Sequence, residues 1–205
     1  MTIGGAPEGF DALLLAQLAK DGCVLQVARD ESRALAMAAA LEFFAPGIEV
    51  VRIPAWDCLP YDRVSPNSDI ASMRMAALHR LSEPGAQFRN LVILTTVNSI
   101  VQRVPARAML AGTAFIAQTG KKLDVQALVA YLSRNGFTRA GTVVEPGDFA
   151  LRGGLLDVYP PGAQGPQRLD FFGDVLESIR SFDPETQRSI GKLDSLSLMP
   201  VSEVV

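Results

Sequence analysis

The chain has 205 residues, 48% of them hydrophobic and 20% charged, with a mean hydropathy of +0.20. That is enough apolar material to bury a core, too much for a disordered chain, and by length it allows one large domain or two small ones. Lys and Arg number 19 and Asp and Glu 22, for a formal charge of −3 and a pI near 5.2. The phosphate-neutralising term of nucleic-acid binding is therefore weak, and such a contact would need a local basic patch. Cys23 and Cys58 are too few for a disulfide framework or a zinc site. His79 is the only histidine, so a triad has one possible base. The longest near-apolar runs, 12–19 and 35–41, are too short to span a bilayer, and no basic segment followed by an apolar one opens the chain. The expectation is a soluble, cytoplasmic protein.

Ala12 to Lys20, rich in Ala and Leu and followed by Asp21-Gly22, predicts a helix. Cys23 to Val27 reads as a short buried strand, Asp30 caps a second helix to about Phe44, and Pro46-Gly47 stops it. Glu49 to Ile53 is a β-branched strand. After a loop with Pro54, Pro60 and Pro66, Ile70, Met73, Ala77 and Leu81 mark one face of a third helix. Leu91 to Thr95 is another buried strand. Helices between short apolar strands predict βαβ units on a parallel sheet.

The pattern changes near Phe115. One helix remains, capped by Asp124, with Val125, Leu128, Val129 and Leu132 on one face and Asn135-Gly136 as its stop. Strands follow at Gly141 to Val144, Ala150 to Tyr159, Arg168 to Phe172, Val175 to Phe182 and Ser195 to Leu198. Turn signals stand at Gly147-Asp148, Pro160-Pro161-Gly162 and Gly173-Asp174. The predicted organisation is an α/β chain: a parallel-sheet domain over 1–115, then a smaller α+β domain with an antiparallel sheet over 116–205. Each half is slightly acidic, with 10 basic and 11 acidic residues in the first and 9 and 11 in the second.

Gly4 to Asp11 has the spacing of a phosphate-binding loop, G-x-x-x-x-G-K-[ST], just before a helix that leads into a βαβ pattern. Gly4 and Gly9 supply the outer glycines. Such a loop needs a Lys to reach the β/γ-phosphates and a hydroxyl to hold Mg²⁺. Phe10 stands at the lysine position and Asp11 at the hydroxyl position, where a carboxylate satisfies the helix dipole and repels a polyphosphate. Pro7 removes a further N–H. The competing reading is a plain disordered N-terminus with two chance glycines. On either reading ATP hydrolysis is not expected.

Trp56-Asp57-Cys58-Leu59-Pro60-Tyr61-Asp62, Ser65-Pro66 and Arg74 to Leu78 resemble the N-terminal region of the bacterial transcription-repair coupling factors, the Mfd family. Thr96 to Arg103, Gly147 to Asp157, Arg168 to Phe172 and Ser181 to Ser189 fit the same family, in order over nearly the whole chain. The resemblance implies a relic of a UvrB-like, RecA-like motor domain without a working phosphate loop, followed by a domain that docks on UvrA. It also implies that the translocating ATPase and the contacts with RNA polymerase and DNA lie in other domains. The chain is then a fragment, with the rest of the relic domain expected after Val205 and a possible intramolecular contact with the C-terminal domain. No catalytic residue, metal or cofactor is expected in it.

Alternation along 168–172 puts Arg168, Asp170 and Phe172 on one face and Leu169 and Phe171 on the other, which suits the core. Phe172 is then an aromatic on a polar face, the kind of residue that anchors interfaces. The competing reading tucks Phe172 under the turn and pairs Arg168 with Asp170 at the surface. Arg152 precedes Gly153-Gly154, read as a bulge or a close backbone approach that splays the Arg outward. Arg152, Arg168 and Phe172 match the family's UvrA-contact positions and are expected to form one exposed patch. Trp56 and Tyr61 suit a core or a loop brace better than a base-stacking platform. His79 has no Ser or Cys partner at a suggestive spacing. Cys23 and Cys58 are expected as reduced, small apolar fillers. Asp57, Asp62 and Asp69 suit turns and caps better than a metal cluster.

Three functions compete. The first is a non-catalytic interaction module that recruits UvrA to stalled transcription complexes in nucleotide excision repair. The second is half of a P-loop helicase or translocase, opposed by Phe10, Asp11 and the Thr95-Thr96 pair where an acidic D-E-x-[DH] box would stand. The third is a damaged-DNA-binding module, opposed by the acidic charge and by a 57–69 loop too short for a long DNA-inserting hairpin.

Overall fold

The computed structural model describes residues 4–5, 7, 9–58, 66–83, 88–110 and 114–203. Leu59, Pro60, Tyr61, Asp62 and Ser65 of the sequence motifs lie outside them. Contacts divide the chain into two units, residues 1–59 with 83–103 and residues 60–82 with 104–205. This division differs from a single boundary near 115: residues 60–82 and 104–115 fall with the second unit.

The first unit opens with α1 (Phe10–Ala19), β1 (Cys23–Ala28), α2 (Glu31–Phe44) and β2 (Glu49–Ile53). The chain then passes through α3 (Ser68–Ser82) of the second unit and returns in β3 (Leu91–Thr96). The Asp30 carboxylate caps α2 by accepting the Arg33 N–H at 2.9 Å. The strands form a parallel sheet in the order β1-β3-β2, with Leu91 level with both Cys23 and Glu49. A central parallel strand is covered on both faces, and β3 is accordingly an unbroken apolar run with Leu91, Val92 and Leu94 buried. α1 and α2 pack Ala12, Leu15, Ala16, Ala19, Met37 and Leu41 against Val92 and Leu94. Small residues on α1 permit that close approach. Beyond β3, Thr96 caps the short α4 (Val97–Ile100) by accepting the Ser99 N–H. The Thr95 and Ser99 hydroxyls donate to the carbonyls of Ile53 and Pro54, which ties the end of β3 to the end of β2.

The second unit continues with α5 (Arg107–Leu110), β4 (Phe115–Gln118), α6 (Val125–Arg134) and β5 (Thr138–Arg139). It ends with β6 (Asp148–Arg152), β7 (Leu155–Val158), β8 (Gln167–Phe172), β9 (Val175–Phe182), β10 (Ser189–Leu193) and β11 (Ser195–Leu198). Six strands form one sheet in the order β10-β9-β8-β7-β6-β5, antiparallel except for the β5–β6 pair, while β4 and β11 pair separately. α6 is the helix that its periodicity predicts: Asp124 accepts the N–H groups of Gln126 and Ala127, and Leu128 and Leu132 are fully buried. They meet Phe149, Leu156, Leu169, Leu176, Ile179, Leu196 and Leu198 in the main core.

Three expectations are corrected. The stretch Ala150 to Tyr159 is not one strand but the hairpin β6–β7, turning at Gly153-Gly154. Gly141 to Val144 forms no strand; Thr138–Arg139 pairs with β6 instead. On α3 the buried face is Ser72, Arg74, Met75, Ala77, Leu78 and Ser82, whereas Ile70, Met73 and Leu81 are only half-buried. The reason is polar. The guanidinium of Arg74 and the carboxylate of Glu203, 0% and 5% exposed, form a buried ion pair that fixes the helix face. Gly162 lies against the same face, its N–H donating to the Ser72 hydroxyl at 2.8 Å. Its φ is +75° and a Cβ there would stand 2.5 Å from the Cβ of Ala76, so only glycine fits.

Breaking a buried pair leaves an uncompensated charge, which costs about 3–5 kcal/mol. Arg74→Ala is therefore expected to lower urea-unfolding stability by an amount in that range, and Glu203→Leu combined with Arg74→Met to recover most of it. A single Arg74→Ala variant with parental stability would refute the pairing.

Candidate functional site

The six-stranded sheet turns one face to the main core and leaves its other face partly open. Leu169 and Phe171 of β8 are buried on the core face, and Phe172 is 76% exposed. Two local devices set this geometry. First, Gly154 lies so near β8 that a Cβ would meet the Phe171 carbonyl oxygen at 2.9 Å, while the Phe171 N–H donates to the Gly154 carbonyl at 2.8 Å. The Gly-Gly pair is thus a close approach within a tight turn. Second, Asp170 pairs with Ser178 but Phe171 with Leu176, so Glu177 is an extra residue on β9. This bulge is what lets Leu176 and Ile179, three positions apart, both reach the core.

On the open face the central group is Asp157 of β7, whose side chain is 5% exposed. It lies level with Arg168 of β8 and with Ala150 of β6. Arg168 donates to it twice, Nε to Oδ1 at 2.7 Å and Nη2 to Oδ2 at 2.8 Å, the bidentate geometry of a strong charge-assisted pair. Arg152 of β6 brings Nη2 to 3.9 Å from the same carboxylate. The Arg168 guanidinium also stacks 4.6 Å from the centre of the Phe182 ring, a cation–π contact. Hydrogen bonding to Asp157 raises the Arg168 pKa further above its already high ordinary value.

Arg152, Arg168 and Phe172 therefore share a face but differ in availability. Arg152 and Phe172 are open, at 55% and 76% exposed, whereas Arg168 is 19% exposed and engaged with Asp157. The surface pair of Arg168 with Asp170 is not formed: Asp170 binds Arg180 at 3.0 Å. Phe172 stands at the β8–β9 turn, where the exposed Lys122 ammonium bonds Asp174 at 2.8 Å and holds that carboxyl below its usual range. Asp157 went unnoticed in the sequence. Its signal was a lone acid inside the apolar run Leu155-Leu156-Asp157-Val158.

At the other candidate site Gly4 is exposed, and Gly9 adopts φ +84° just before α1. Phe10 is the first helical residue and 39% exposed, while Asp11 forms an ion pair with Arg33 of α2. Phe44 packs its ring against Gly9, within contact distance of where a Cβ would be. Gly9, Asp11, Arg33, Met37 and Phe44 line a cavity of about 220 Å³, below the usual range of roughly 300–1,000 Å³ for small-molecule sites. Ala6 and Glu8 lie outside the described residues.

The remaining candidates are scattered. His79 is half-buried on α3, and the Trp56 backbone N–H donates to the Gln102 Oε1 at 3.1 Å. Cys23 is exposed rather than a core filler, because it lies on the outer strand β1, and desolvation raises its pKa. Among the described residues no group of three or more His, Cys, Asp or Glu side chains gathers as metal ligands, and no helix is long and apolar enough to cross a membrane.

Residues 116–203, from β4 past β11, match the UvrB interaction domain family. The match lies within the second unit. Over nearly its whole length the chain is also similar to the transcription-repair-coupling factors. It is 34% identical to that of Escherichia coli K12 over 94% of this chain, 39% to that of Myxococcus xanthus over 87%, and 30% to that of Haemophilus influenzae over 98%. The likeness runs over most of this chain and over a small part of each relative. The chain spans 16%, 15% and 17% of the length of those three relatives.

The two arginines should behave differently on truncation. Arg168→Ala leaves the buried Asp157 carboxylate without its bidentate partner and is expected to cost about 3 kcal/mol of folding stability. Arg152→Ala removes only a distant, exposed contact and should shift stability by about 0.5 kcal/mol or less. Thermal or urea unfolding of the two variants checks the contrast, and equal losses would contradict it.

Proposed function

We propose that the chain is a non-catalytic interaction module of transcription-repair coupling, which recruits UvrA through the open face of the second unit's sheet. The observation that carries this reading is a largely exposed Phe172 on the same sheet face as two arginines held about one buried carboxylate. Apolar anchors beside oriented guanidiniums are where interfaces concentrate their binding energy. The UvrB interaction domain match over 116–203 supports it. Arg152 is the cation available to a partner's carboxylate, while Arg168, locked to Asp157, presents a fixed edge. Phe172→Ala and Arg152→Ala are each expected to weaken binding of purified UvrA by about 1–4 kcal/mol with little change in melting temperature. A double variant that keeps its melting temperature and binds UvrA like the parent would refute the assignment.

The first unit, in the same reading, is a degenerate RecA-like domain that neither binds nor hydrolyses ATP and takes no cofactor. Support comes from Phe10 and Asp11 in place of the Lys and hydroxyl, from the engagement of Asp11 with Arg33, and from Phe44 packed over Gly9. Calorimetric titration with Mg-ATP is expected to give no saturable heat, and micromolar affinity would overturn the reading. RNA polymerase and DNA are partners of the whole protein through regions beyond this chain, and the site is cytoplasmic.

A further inference from the structure

The strand register aligns cations across the open face. Arg168 on β8 is level with Arg180 on β9, and Arg180 is level with Lys192 on β10. Antiparallel partners point to the same side, so three positive side chains stand in one cross-strand row, with Arg152 beyond Asp157 on β6. Like charges directly opposite one another destabilise a sheet, and this chain carries net negative charge. Among the described residues two acids answer the four cations: Asp157 takes Arg168, and Asp170 takes Arg180 at 3.0 Å. Lys192 is exposed and has no ion pair among the described residues. A sequence that breaks a local rule at a cost to its own folding does so where function requires it.

We propose that the partner-binding surface extends along this row to β10, that Arg180 and Lys192 are further contact residues, and that the surface takes an acidic protein face. The proposal rests on the reading of the Arg152–Phe172 face as the UvrA surface and adds the chemistry that its partner must present. The carboxylates of Asp157 and Asp170 interleave the cations and would repel a continuous phosphate backbone, whereas discrete acidic side chains can meet each cation separately. Phe172 lies about 13 Å along β8 from Arg168, four residues at roughly 3.3 Å each, and closes the surface with an apolar anchor rather than with further charge.

The test is Lys192→Glu beside Phe172→Ala in the full 205-residue chain, with association and affinity for purified UvrA measured at two salt concentrations. Melting temperature and duplex-DNA binding are recorded for each. Lys192→Glu faces Arg180 with an opposite charge, so its melting temperature should hold or rise. Its UvrA affinity should fall about tenfold, chiefly in association rate and with weaker salt dependence. Parental binding by Lys192→Glu while Phe172→Ala fails would overturn the extension and leave the anchor reading standing. Parental binding by both would remove the surface altogether, and the extension with it. A melting temperature that falls with the affinity would make Lys192 a folding residue, and a loss confined to DNA binding would replace the acidic protein with a nucleic acid. Either result overturns the proposal.

Discussion

A carboxylate withdrawn from water must be paired, and Asp157 meets that requirement with Arg168 on the next strand. Its side chain is 5% exposed and takes both hydrogen bonds of the fork. The desolvation cost of such a group is several kcal/mol, which the ion pair offsets only because its geometry is bidentate. The consequence runs through the second unit. Arg168 cannot swing freely, its ring contact with Phe182 is fixed, and Arg152 approaches the same carboxylate from β6. A guanidinium that has already lost its rotamer freedom forfeits less on meeting a partner.

The two faces of the sheet are kept distinct by an irregularity in β9. Without the extra residue Glu177, Leu176 and Ile179 would point to opposite sides, and one of them would leave the core. With it, both fill the space beneath α6, and Arg180 emerges on the open side to bind Asp170. The opposite balance holds at α3, where a buried ion pair rather than apolar packing selects the face. There Arg74 and Glu203 join segments 129 residues apart in sequence. Both cases put a charged group in a low-dielectric place and hold it there by geometry, one on an open face and one beneath a helix.

How much of this was legible in the sequence depends on the range of the interaction that decides it. α6 was readable because its cap, apolar stripe and Asn-Gly stop are all local. The strand β8 was readable from alternation, and the burial of Leu169 and Phe171 against the exposure of Phe172 follows it. β9, whose bulge breaks the alternation, was readable only as an apolar stretch after the Gly173-Asp174 turn. The β6–β7 hairpin was not, because Gly-Gly serves equally as a bulge, a close approach or a turn, and only the neighbouring Phe171 decides among them. The face of α3 was hidden for the same reason: nothing near Arg74 announces Glu203. The cationic row escaped notice because Arg168, Arg180 and Lys192 lie twelve residues apart and meet only through strand register. Short strands such as β5, with two residues, carry too little pattern to be read.

The proposed UvrA surface can be mapped directly. Amide chemical shifts of the isotope-labelled chain, recorded as purified UvrA is added, would map that contact residue by residue. The account predicts that the perturbed amides cluster in β6, β8 and β9 around Arg152, Arg168 and Phe172, and that α1, α2 and the parallel sheet of the first unit stay unchanged. Perturbations centred on the first unit, with those strands silent at saturating UvrA, would contradict it.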